Sequence, residues 1–255
     1  MEAPRGDARL SAGEGIHPTA ATGFARSADA YERGRPGYPD DAVDALVAAL
    51  PGRDVIDLAA GTGKLTRALV ARGCDVVAVE PVAEMRAQIG PPARVVDGVA
   101  EATGLPAATA DAVTVAQAFH WFDRPRALAE IHRVLRPGGV LALVWNTRRM
   151  EDEVHQRIQA LLEPLRGAVP SHRSERWRVD LEASPLFGDI RELGFANEQL
   201  VDAAALADRI GSISFVAALG AGERAALLEH ARALAGDGVL TLRYVVELQL
   251  ATRRG

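Results

Sequence analysis

Val55-Ile-Asp-Leu-Ala-Ala-Gly-Thr-Gly-Lys64, followed by an acid at Glu80, decides the fold of this chain. Val55–Leu58 reads as a short apolar strand, the glycines as a tight turn, and Lys64 to Arg72 as a helix ended by Gly73. Val76–Val79 forms a second strand that finishes on the Glu80 carboxylate. A unit of this kind holds an adenosine ribose. The glycines let the backbone approach the ligand, and the acid at the second strand's tip accepts hydrogen bonds from two hydroxyls.

Three glycine loops compete for this stretch. A phosphate loop, G-x-x-x-x-G-K-[ST], fails at Leu58, where its first Gly belongs, and at Leu65, where Ser or Thr would coordinate magnesium. A dinucleotide fingerprint, G-x-G-x-x-G, puts Thr66 at the third Gly if it starts at Gly61. Starting at Ala59 loses the first Gly and puts Thr62 at the third. The nucleoside-sulfonium pattern [DE]-x-G-x-G-x-G fits Asp57, Ala59, Gly61 and Gly63, departing only at Ala59. One added methyl is tolerable there if φ is negative and no ligand lies in contact.

Working outward, Asp40–Leu50 reads as an amphipathic helix after Pro39, with Val43, Leu46, Val47 and Leu50 on one side. A short helix is expected over Ala83–Ile89, strands over Arg94–Asp97 and Ala112–Ala116, and a helix from Arg124 to Leu135. Arg136-Pro-Gly-Gly139 is a strong breaker before a fifth strand, Val140–Trp145. Beyond it come a helix (Asp152–Leu165), an irregular Arg-rich stretch (His172–Leu186), a strand (Ile190–Val201), a helix (Arg224–Leu234) and a final strand (Val239–Leu250). Apolar strands alternating with helices predict an α/β, doubly wound, mostly parallel sheet buried on both faces. Ala59, Glu80, Asp97 and Gln117 then fall at the carboxyl ends of strands, where such sheets bind ligands.

In this order the motifs resemble the class I S-adenosylmethionine-dependent methyltransferases, type 11 small-molecule group. The residues that carry the likeness are Val55–Leu65, Val76-Val-Ala-Val-Glu-Pro81 with Met85, Gly98-Val-Ala-Glu101 with Leu105-Pro106, Asp111–Asp123 and Val134–Val140. Tyr31-Glu-Arg-Gly-Arg-Pro-Gly-Tyr-Pro39 is similar to the entry segment of a subgroup that includes trans-aconitate methyltransferase-like enzymes. The resemblance covers residues 24–147 clearly. It implies a Rossmann-like seven-stranded sheet with helices on both faces and an antiparallel terminal strand. Residues 1–23 would be a mobile segment, 24–147 a cofactor-binding core with an N-terminal lid, and 148–255 a substrate-side insert that completes the same domain.

The chemistry implied is in-line methyl transfer from S-adenosylmethionine to a small molecule, giving S-adenosylhomocysteine. The acceptor atom expected first is an oxygen, carboxylate or hydroxyl, then carbon or nitrogen. Glu80 would fix the ribose, and Asp57 would orient the turn or meet the cofactor's ammonium. Ala59, Gly61, Thr62 and Gly63 form the turn itself. Pro81 and Met85 would flank the adenine, with Val99, Ala100 and Glu101 at its edge. Gln117 would touch the methionine moiety, while Tyr31, Arg35 and Tyr38 would close over the cofactor, Arg35 meeting its carboxylate. His120 is the candidate general base, because its ordinary pKa lies near neutrality; a carboxylate acceptor would need no base. Trp121, Asn146 and Arg148 are candidate substrate contacts. Arg173, Arg176, Trp177 and Arg178 form a basic run that reads either as an anion contact or as a solvated loop.

Composition narrows the class further. With 255 residues, 48% of them hydrophobic, the chain has material for one α/β domain with a lid or insert. A net charge of −5 argues against nucleic acid as the main partner. A single cysteine, Cys74, rules out an internal disulfide and suits a reducing cytoplasm. No apolar run is long enough for a membrane span, and the six histidines show no metal-ligand spacing, so neither membrane nor metal is expected. Only Lys64 among 29 basic residues is lysine, a usage that points to a GC-rich bacterial genome. A monomer or homodimer fits equally. Two rival classes remain: a module that binds the cofactor without transferring methyl groups, and a nicotinamide-dependent oxidoreductase, against which the missing third Gly speaks.

Overall fold

Alternation along each strand sends neighbouring side chains to opposite faces of a sheet, and the computed structural model builds one sheet of seven strands on that rule. It describes residues 28–166 and 176–255. The segment 1–23 and Arg173 lie outside the described residues. A helix over residues 28–34 (α1) and α2 (Asp40–Ala48) precede β1 (Asp54–Leu58), α3 (Lys64–Val70), β2 (Asp75–Val79), α4 (Ala83–Arg86) and β3 (Arg94–Val96). Then follow β4 (Ala110–Ala116), α5 (Arg124–Val134), β5 (Leu135–Arg148), α6 (Glu153–Leu162) and α7 (Arg176–Glu182). The chain closes with β6 (Phe187–Val201), α8 (Ala203–Gly211), α9 (Ser214–Ala217), α10 (Ala221–Ala235) and β7 (Leu240–Arg253).

The strand order is β3-β2-β1-β4-β5-β7-β6. The first five strands pair in parallel, and β7 runs antiparallel to both β5 and β6. Sequence direction reverses beside β1, between β2 and β4, which is where the loops splay apart and a ligand crevice opens. Ile56, Val113, Leu141, Leu143 and Trp145 face one side of the sheet, where α5 and α7 cover them with Leu128, Ile131, Trp177 and Leu181. Val55, Ala112, Ala142 and Val144 face the other, under Val43, Leu46, Leu65 and Leu69 of α2 and α3. A third cluster joins α6, α8, α9 and α10 to the far ends of β6 and β7.

Two expectations need correction. Arg136-Pro-Gly-Gly139 ends helix α5 but does not interrupt the sheet. Leu135 already pairs with Ala110, Val140 pairs with Ala112, and the residues between are absorbed as a register shift. Gly138 takes φ +76, open to glycine at little cost, and Arg136 pins the bulge to Asp54 and Asp111 at 2.8 and 2.6 Å. The stretch expected as irregular contains α7. Trp177 is buried there against Trp145, with ring centroids 5.0 Å apart, and Arg178 pairs with Glu192 at 2.5 Å. Arg178 is therefore held in a helix and an ion pair rather than in a solvated loop. Helices α8 and α9 were not anticipated at all. Among the described residues no helix is long and apolar enough to cross a membrane.

Candidate active site

Two adjoining cavities open at the carboxyl ends of the parallel strands. The larger spans about 730 Å³, its open mouth included, and is lined by the ends of β1 and β2, the start of α4, the loop after β3 and the turn after β4. Glu80, Pro81, Met85, Val99, Ala100 and Glu101 meet there from three different elements. The second, of about 510 Å³, lies between the glycine turn, α1 and α8, and includes Arg35, Tyr38, Thr62, Asn146 and Arg209. Tyr31, Ala59, Ala116 and Gln117 belong to both walls.

The glycine turn shows how the strand hands its backbone to the cavity. Gly61 takes φ +60, and a Cβ built on it would meet only the Tyr31 ring edge, at 3.9 Å, so its backbone faces open space. Gly63 takes φ +83. The condition set above for Ala59 is not met, since its φ is +55. An L-residue held in the left-handed region costs about 1–2 kcal/mol. Gln117, across the cavities, is held the same way at φ +60, while its amide donates to the Val144 carbonyl at 2.9 Å. Strain of this kind collects at sites where the surroundings over-determine the backbone. We expect Ala59→Gly to stabilise the fold by about 0.5–1 kcal/mol, the relieved strain less about 0.4–1 kcal/mol of added unfolded-chain entropy. Chemical denaturation checks this; a destabilised variant would show that the methyl earns its place by packing.

Two buried carboxylates organise the turn. Asp57 accepts from the hydroxyls of Thr66 at 2.5 Å and Thr114 at 2.8 Å, tying β1 to α3 and β4. Burial nonetheless pushes its pKa from 3.8 up to about 6. It sits beneath the turn rather than on either cavity wall. Glu80 accepts from the Gly61 amide at 2.8 Å and the Val82 amide at 2.9 Å, one on each oxygen. Burial raises its pKa from 4.5 to about 7, against the pull of those two amides. Each carboxylate oxygen keeps a further lone pair, so the group can brace the loop and accept from a ligand together.

An N-terminal strap, residues 28–38, crosses over both cavities. The Glu32 carbonyl accepts from Lys64 at 2.6 Å, and the Glu32 carboxylate pairs with Arg67 at 2.6 Å. Arg33 pairs with Asp208 at 2.6 Å, and the Gly34 and Gly37 carbonyls accept from Gln199 and Asn197, both at 3.0 Å. Glycine is required at 34, since a Cβ there would lie 2.4 Å from the Arg209 amide nitrogen. Asn146 joins this network, donating to the Gly37 carbonyl at 3.2 Å and accepting from Asn197 at 2.7 Å.

The chain can now be set against known proteins. A family model described as a methyltransferase domain matches residues 56–143. An uncharacterized methyltransferase of Mycobacterium tuberculosis is 55% identical over 129 residues, 49% of this chain. The chain spans about half of that relative's length, 52%. An uncharacterized methyltransferase-like protein of Schizosaccharomyces pombe is 33% identical over 193 residues, covering 73% of this chain and 75% of the relative. The chain belongs to the class I S-adenosylmethionine-dependent methyltransferases. A solved structure named as a type II methyltransferase, from Anaeromyxobacter dehalogenans, shares the methyltransferase fold with a TM-score of 0.65 at 29% identity. That match covers 86% of this chain and 97% of that one.

Not every candidate residue of the methyltransferase reaches the cavities. His120 lies in a tight turn (Phe119–Trp121), its ring 4.9 Å from that of Trp121 and 5.6 Å from that of Trp145, and neither cavity wall includes it. Trp121 lines the larger cavity. Arg148 stands away from both, donating to Gln159 at 2.9 Å beside a small cavity with His155. Arg209 and Lys64 line the second cavity without having been singled out in sequence. Helix α8, which carries Arg209, could have been found: Asp202, whose side chain caps it by accepting from the Ala205 amide at 2.8 Å, precedes Leu206 and Ile210 at helical spacing.

Proposed function

We propose that this methyltransferase binds S-adenosylmethionine across the shared wall and moves its methyl group to an oxygen of a small molecule. The observation that carries the reading is the sharing of Ala59, Ala116, Gln117 and Tyr31 between two cavities. One cavity has the ribose acid and an apolar slot; the other has the cations and amides. In this reading Glu80 accepts from the ribose hydroxyls while Met85, Val99 and Ala100 hold the adenine. The open face of Gly61 receives the chain that joins ribose to sulfur. When bound, the sulfonium supplies an electrophilic methyl group. The protein's own contribution is to hold acceptor and donor in line at about 3–3.5 Å and to exclude water under the strap. A carboxylate oxygen attacks without losing a proton, which agrees with a site whose walls do not include His120.

Calorimetric titration with S-adenosylhomocysteine, with NADH in parallel, tests the reading. Micromolar binding of the first alone is expected; binding of neither by folded protein would sink it. A pH series tests Glu80. Ribose hydroxyls donate to the ionised carboxylate, so binding draws its pKa down from about 7 and releases a proton. Affinity for 5′-methylthioadenosine, which carries the ribose but not the amino-acid end with its titratable amine, should therefore weaken about tenfold from pH 8 to pH 6. A flat profile would leave Glu80 as a brace for the loop alone.

A further inference from the structure

The second cavity holds more positive charge than the cofactor's single carboxylate can neutralise. Arg35, Lys64 and Arg209 line it. Lys64 is answered by Glu32, 3.6 Å from its carboxylate. Arg35 and Arg209 form no ion pair with a carboxylate among the described residues. The acid next to Arg209, Asp208, is committed to Arg33. Arg35 donates to the hydroxyl and carbonyl of Ser212 at 2.9 and 3.1 Å and lies 4.9 Å from the centre of the Tyr31 ring. Burial and the nearby Arg209 cation push its pKa down to about 10. Among the described residues the Arg209 side chain reaches only the Tyr244 hydroxyl, at a long 3.4 Å, with one of its five N–H donors. Two like charges held together out of water disfavour one another, and an anion between them removes the penalty.

We propose that Arg209 is the residue that selects the methyl acceptor, by holding an anionic group on it, carboxylate or phosphate, beside the donor that Arg35 anchors. The inference rests on the function proposed above. It assigns to α8, an element outside the span of the family model, the task of telling acceptors apart. A guanidinium presents paired donors that match a carboxylate or phosphate edge to edge, which gives direction as well as charge.

The test uses the protein saturated with S-adenosylhomocysteine and matched probes: benzoate with benzamide, hexanoate with hexanamide, and phenyl phosphate with phenol. Anionic members are expected to bind and neutral partners not; which anions bind separates carboxylate from phosphate as the recognised group. Arg209→Gln should weaken anion binding about tenfold or more while S-adenosylhomocysteine affinity stays unchanged. Arg209→Lys, which keeps the charge and loses the fork, should fall between, and it serves if the Gln variant does not fold. Equal binding of neutral partners, an Arg209→Gln protein that binds anions like the parent, or no binding by any probe would overturn the proposal. So would loss of S-adenosylhomocysteine affinity in that variant, which would make Arg209 a cofactor residue. If the parent protein itself binds no S-adenosylhomocysteine, it is the underlying function that fails.

Discussion

Glu80→Ala is expected to weaken S-adenosylhomocysteine binding by about 10–100-fold, the largest effect on binding of any single change in the site. One hydrogen bond to a charged acceptor is worth about 1.5–3 kcal/mol, and about 1.4 kcal/mol is a factor of ten, so the expected range corresponds to a net loss of about one such bond. The carboxylate also accepts from the Gly61 and Val82 amides, so its loss releases two backbone donors that set the shape of the turn. Both consequences act in one direction, on the ribose side of the larger cavity. Glu80→Gln separates them: its carbonyl oxygen still accepts from one amide, while the negative charge and one acceptor are gone. Calorimetry on variants shown to be folded by circular dichroism reads the outcome. An alanine variant that binds like the parent would remove Glu80 from the ribose altogether.

Trp145→Ala is expected to cost about 3–5 kcal/mol of stability, the usual toll for emptying a large aromatic from a core. Trp145 is fully buried on β5, among the largest such side chains in the protein. Its ring meets that of Trp177 at 5.0 Å and that of His120 at 5.6 Å. It thus joins three separately made pieces: the sheet, the turn after β4 and helix α7. Domains of this kind are stable by only about 5–15 kcal/mol, so about a fifth or more of the margin would go. Urea denaturation should show a lower midpoint with an unchanged slope. A loss below about 1 kcal/mol would mean that the neighbouring rings collapse into the space and that the three-way contact is not what anchors α7.

Much of this site was legible because its carriers are local. Asp57, Ala59, Gly61 and Glu80 fall within one strand–turn–helix–strand unit, and the periodicity of the strands placed their ends, hence the cavity. What the sequence hid is set by partners far along the chain. The Thr114 hydroxyl that holds Asp57 lies 57 residues away, so whether that acid faces ligand or scaffold could not be read from the motif. The positive φ of Ala59 follows from the whole turn being locked between β1 and α3, which overrides the residue's own preference. The Pro-Gly-Gly stretch reads as a break by local rules, and only its neighbour β4 makes it a bulge inside a strand. Arg209 gave no signal of function, because an arginine on a helix face is ordinarily solvated; the strap folding back over α8 is what encloses it.

The strap also imposes an order on assembly. Some of its anchors, Lys64 and Arg67, lie nearer in sequence, but others are 165 to 177 residues away, at the end of β6 and in α8 and its cap. Among the described residues β6 has β7 as its only neighbour in the sheet, and β7 comes after it in sequence. A nascent chain emerging from the ribosome can therefore fold the glycine turn early and tether the strap through Lys64 and Arg67, but the strap's anchors on β6 and α8 are not fixed to the sheet until Leu240–Arg253 has been made. Full closure of the strap thus comes later in synthesis than the folding of the turn it covers.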